Sequence, residues 1–316
     1  MGNKECILHV HCLVALALGA PLISDAKAEA LYAASLRDLG KEQAEWAGGA
    51  LYSVDPTTGK SALVALLRVG GLVPVGLVGL AIHPKTGVLY GLTGGLSTEI
   101  PRSLVTVDPM TGNTTLVGRL GHVASDIRFD KHGTLYVWLN EESRLGVVDL
   151  GTGVATPVGN SGYSETLGGG LVIDRVGNIY VSVTGAAGTL DRLDATTGRA
   201  TVGPRLIGAP YIAVVNSMAF SASGILYAVN SNLGSPAKAS LVTIDTNDGR
   251  VRIIGALPND IDALAFAPDL APAAAIKTPD PLQHSLLVAI ALVGGMILGY
   301  AIRIAQRPFG RVSSLR

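Results

Sequence analysis

Five times along this chain an apolar strand runs into Asp, and Gly follows four residues later. The pairs are Asp55 and Gly59, Asp108 and Gly112, Asp149 and Gly153, Asp194 and Gly198, and Asp245 and Gly249. The fullest copy is SLVTVDPMTGNTTLVG (103–118). The others are LYSVDPTTGKSALV (51–64), LGVVDLGTGVATPVG (145–159), LDRLDATTGRATVG (190–203) and LVTIDTNDGRVRIIG (241–255). Two apolar strands joined by a short Asp-to-Gly connection read as a β-hairpin. The Asp side chain accepts from backbone N–H groups ahead of it, and Gly takes the positive φ that closes the turn. These carboxylates are turn formers; the ligand spacing of a calcium loop is absent.

A second phrase alternates with the first: LAIHPKTGVLYGLTG (80–94), IRFDKHGTLYVWLN (127–140), LVIDRVGNIYVSVTG (171–185) and MAFSASGILYAVNS (218–231). It is another hairpin, with Gly in the turn and Tyr90, Tyr136, Tyr180 and Tyr227 in the second strand. The Tyr spacings of 46, 44 and 47 make one period of four strands. A period of about 45 residues holding four strands is the signature of a propeller blade. The Tyr residues then pack between blades. The last inner strand, IDALAFAP (261–268), has no LY strand after it. Its partner stands at the other end, as EALYAASL (29–36). The expected fold is therefore an all-β, five-bladed β-propeller whose fifth blade is shared between the termini, which removes exposed sheet edges.

The LYxxDPxTG pattern resembles bacterial β-propellers of quinoprotein-like or YVTN-type style. The resemblance covers residues 29–268 and implies a fold, since propellers host many activities and many binding roles.

The ends carry targeting signals. Residues 1–28 read as a signal peptide: an apolar run from Ile7 to Leu22, then Ala26-Lys27-Ala28 with small residues at the cleavage positions. Both cysteines, Cys6 and Cys12, fall in it, so the mature chain is expected to start at Glu29 without thiol chemistry. His9 and His11 argue against lipidation of Cys12. Residues 269–284 are an Ala/Pro-rich spacer. Residues 285–302 (SLLVAIALVGGMILGYAI) carry no charge and read as one C-terminal transmembrane helix. The tail 303–316 holds Arg303, Arg307, Arg311 and Arg316 and no acid. Basic residues favour the cytoplasmic side, so the propeller is expected on the periplasmic or extracellular side. The stretch also resembles C-terminal sorting tags of the PEP-CTERM kind, with Pro279-Asp280-Pro281 in place of the usual motif, which would imply removal of the tail. Ala291, Gly295 and Gly299 recur every four residues and would suit a weak homodimer within the bilayer.

Chemistry is less legible. The chain has 24 basic and 24 acidic side chains, which leaves no electrostatic footprint for nucleic acid. His83, His122, His132 and His284 show no metal-ligand spacing. His83 reads as a packing or rim residue in the position of Phe129 and Phe220. There is no GxSxG elbow, and Gly168-Gly169-Gly170 precedes a strand rather than a helix. Trp46 and Trp138 form no repeated stacking pattern. Aligning the inner strands on Phe129, Phe220 and Phe266 places Ser125, Asn216 and Asp262 four residues earlier, with Gly79 and Gly169 matching in the other blades. With Asp126 they form a candidate ligand site at one channel mouth, open to a polar ligand or to calcium, or else a water-filled polar channel. The preferred reading is a membrane-anchored, extracytoplasmic module that binds a ligand or a protein. The alternatives are a propeller enzyme (a lactonase, lyase or quinone-dependent dehydrogenase with an axial metal or cofactor) and a structural surface protein.

Overall fold

The computed structural model describes residues 29–36, 48–95, 97, 99–184, 188–211, 215–232 and 234–267. The expected signal peptide, spacer, transmembrane helix, basic tail and Ala291/Gly295/Gly299 face lie outside these residues. Among the described residues no helix is long and apolar enough to cross a membrane.

Five antiparallel sheets form five blades. Blade 1 joins the two ends of the propeller: Ile261–Phe266 is innermost, followed by Leu31–Ser35, Ala50–Val54 and Ser61–Leu66. Leu31 pairs with Phe266 and Ala33 with Leu264. The ring thus closes with one strand from the C-terminal side and three from the N-terminal side, as the repeat phase requires. Blade 2 is Leu77–Ile82, Leu89–Thr93, Ser103–Val107 and Asn113–Arg119. Two short strands, Arg68–Val69 and Val73–Pro74, extend its outer edge. Blade 3 is Ala124–Phe129, Leu135–Leu139, Arg144–Val148 and Ala155–Val158. Blade 4 is Gly169–Ile173, Ile179–Val183, Asp191–Leu193 and Ala200–Thr201. Blade 5 is Val215–Phe220, Leu226–Ser231, Ala239–Ile244 and Val251–Leu257.

The repeated Asp-to-Gly phrase closes each outer hairpin. In blade 1 the Asp55 carboxylate accepts from the Thr57 N–H at 2.8 Å and from the Thr57 and Thr58 hydroxyls at 2.7 and 2.8 Å. The Gly59 N–H donates to the Asp55 carbonyl at 2.8 Å, with Gly59 at φ 73°. These bonds to the charged form hold the Asp55 carboxyl down at about 2.

The turn also joins blades. A Cβ on Gly153, in the turn of blade 3, would stand 2.7 Å from the Gly118 Cα in the outer strand of blade 2. A Cβ on Gly118 would stand 1.8 Å from the Thr152 carbonyl oxygen. Gly59 and Gly255 meet in the same way across blades 1 and 5. The Gly that ends these copies of the phrase is therefore a place where the next blade's backbone touches, and no side chain fits there.

The apolar core is split into wedges, one at each blade junction. The blade Tyr residues stand at their edges. Tyr90 meets Phe129 edge-on at 5.3 Å, Tyr180 meets Phe220 at 6.2 Å, and Tyr227 meets Phe266 at 5.2 Å. Trp138 is fully buried between blades 3 and 4.

Candidate functional site

Innermost strands are sheet edges. Their free backbone N–H and C=O groups face the channel and need partners. In this chain two residues of blade 3, Asp126 and Arg128, supply several of them. Arg128 donates to the Leu80 carbonyl of blade 2, to the Met218 carbonyl of blade 5, to its neighbour Ile127 at 2.6 Å and to the Ser217 hydroxyl at 2.8 Å. Asp126 accepts from the N–H of Leu171 in blade 4 and of Ile127, both at 3.0 Å, and from Met218 at 3.4 Å. The two side chains lie 3.2 Å apart. Ser217 also accepts from the Leu264 N–H of blade 1 at 3.0 Å. All five inner strands are thus tied to one buried ionic plug.

Register explains how the plug fits. Asp126 shares its level in the blade alignment with Gly79, Gly170, Ser217 and Ala263. Arg128 shares its level with Ala81, Val172, Ala219 and Ala265. Each level holds one charged side chain among uncharged, mostly smaller ones. Asp126 has no exposed surface. Burial pushes its carboxyl up to about 7, against the opposing pull of Arg128 and the three N–H groups.

One step closer to the start of each inner strand lies a cavity of about 350 Å³. Ser125, Asn216 and Asp262 all line it, and Asp126 does not. A β-bulge sets the difference. The pairing slips between Ala124 and Ile127, between Val215 and Ser217, between Leu77 and Gly79, and opposite Ala34 and Ser35 at Asp262. The extra residue in each bulged strand is turned out of the alternation, which re-aims its side chain. In blade 2 that residue is Val78, not Gly79. Ile82 rather than His83 pairs at the level of Phe129, so the alignment through His83 is off by one. His83 instead accepts from the N–H groups of Lys85 and Thr86 at 3.2 Å and meets Phe129 edge-on at 4.9 Å.

A second set of lining residues ends the LY strands: Leu36, Asn140, Thr184 and Ser231, each four residues after a blade Tyr. These were readable from the same repeat, once the end of the strand rather than its face was compared. The lining mixes polar and apolar residues. Blades 3, 4 and 5 supply Ser125, Asn140, Thr184, Asn216 and Ser231, and blade 1 supplies Asp262. Leu36, Val78, Leu167, Val215 and Ile261 are apolar lining residues among them.

Several of these polar groups are already bonded to one another. The Ser125 hydroxyl donates to the Gly169 carbonyl at 2.8 Å and accepts from its N–H at 3.0 Å. Ser231 donates to the Asn216 carbonyl oxygen at 2.9 Å, and the Asn216 amide donates to Asp262. Asp260, at φ 57°, accepts from the Ala237 N–H at 2.8 Å. The oxygen of Asn232 accepts from Gly234 and Lys238. Calcium takes six to eight oxygens from flexible ligands. Here Asn216 turns its NH₂ toward Asp262, and Asn232 spends its oxygen on backbone. This arrangement does not present a calcium cage. Among the described residues no cluster of three or more His, Cys, Asp or Glu stands ready for a metal.

No protein-family model matches this chain, and neither does any curated protein. Among solved structures it is similar to a chain of a nidogen/laminin complex, at 13% identity over 77% of this chain and 99% of that one, with a TM-score of 0.49. It is also similar to hydrazine synthase of Kuenenia stuttgartiensis, at 21% identity over 58% of this chain and 49% of that one, with a TM-score of 0.37. A third is a protein of unknown function from Bacteroides thetaiotaomicron, at 14% identity over 57% and 50% of the two chains, with a TM-score of 0.42. None of these likenesses transfers a residue or a role to this chain.

Proposed function

We propose that this chain is a membrane-tethered, extracytoplasmic β-propeller that binds a small polar ligand in the cup at its channel mouth. The carrying observation is the pairing of a plug with a cup. Asp126 and Arg128 tie the inner strands together, and the bulged residues directly above them line a cavity. A cavity of this size, lined by a few convergent polar groups among apolar ones, suits a small molecule. Ser125, Asn216 and Asp262 are its wall, and Asp126 supports it from below. The apolar uncharged segment 285–302 and the arginines that follow support a single-pass anchor with the propeller outside.

The test is a ligand-observed NMR screen of the full-length chain against a library of neutral, cationic and anionic fragments. The Val78→Trp variant, which fills the cup, is run beside it. The reading expects binders to the native chain that the variant loses. Binders kept unchanged by Val78→Trp would place the site elsewhere. Carbonate extraction of membranes tests the tether: the full chain stays with the lipid, and a chain ending at residue 284 is released.

A further inference from the structure

We draw no further inference here: the strongest candidate, the apolar outer edge of blade 2, where the hairpin of Arg68–Val69 and Val73–Pro74 presents an exposed Leu72 and the outer turn an exposed Met110, is an unpartnered surface patch, and nothing in the structure shows what covers it.

Discussion

The outer and inner halves of the same five blades follow different rules. Outside, every blade repeats one device: an Asp-bonded turn whose Gly rests on the backbone of the preceding blade. Inside, the blades differ at almost every level. The mouth position is Val78, Ser125, Gly169, Asn216 or Asp262, and only blade 3 carries the ionic pair. The difference teaches what each half is for. Five identical junctions need five identical turns to close a ring. A channel needs one plug, and five copies of a buried Arg would repel one another. A binding cup likewise gains a direction only when its walls are unlike.

The sharpest way to break the comparison is to remove the unrepeated part. Arg128→Ala leaves Asp126 buried without its cation and frees carbonyls on blades 2 and 5. The expected loss is about 3–5 kcal/mol in a denaturant melt of the full-length chain. A loss under about 1 kcal/mol would make the plug incidental. Next comes the repeated part. Gly118→Val drives a side chain into the Thr152 carbonyl, so the blade 2 to blade 3 junction must shift. The expected cost is about 1–3 kcal/mol, read in the same melt. An unchanged midpoint would mean that the blades touch less closely there.

A third effect is a pH dependence. The Asp126 carboxyl titrates at about 7 in the folded chain against 3.8 unfolded, so the folded state holds the proton more tightly. Its contribution is fully present below about pH 4 and is lost as pH rises toward 7. Asp55, lowered to about 2, acts in the opposite sense: its contribution is present above about pH 4 and is lost as pH falls toward 2. Asp126→Asn should therefore flatten the slope between pH 4 and 7 and leave the acid limb alone. A slope that persists in the variant would assign it to other groups.

The ring was legible because its signals are periodic. Strand alternation, the Asp-to-Gly spacing and the Tyr interval set the four-stranded blade, and the unpaired IDALAFAP strand demanded the closure with residues 29–36. The expected signal-peptide and transmembrane segments rest on composition alone and lie outside the described residues. Ser125, Asn216 and Asp262 were visible as unlike residues at a common position. That a bulge turns them to the mouth was not, because a bulge breaks the alternation on which face assignment depends. Hence Asp126 was grouped with its neighbour Ser125 although its side chain enters the plug. Arg128 was missed, although it is the one charge at its level beside Ala81, Val172, Ala219 and Ala265. A long charged side chain in an apolar strand signals a buried partner, and comparing levels across blades would have exposed it.

The central claim is that the channel is sealed by Asp126 and Arg128 and open as a cup above them. Amide hydrogen exchange at Leu171 and Leu264 tests it most directly. These are inner-edge N–H groups that donate to Asp126 and to Ser217, each at 3.0 Å. In a sealed channel they exchange as slowly as amides paired within the blades, and in Arg128→Ala they exchange faster. Exchange in the native chain at the rate of an exposed sheet edge would mean an open, water-filled channel, and would contradict the account.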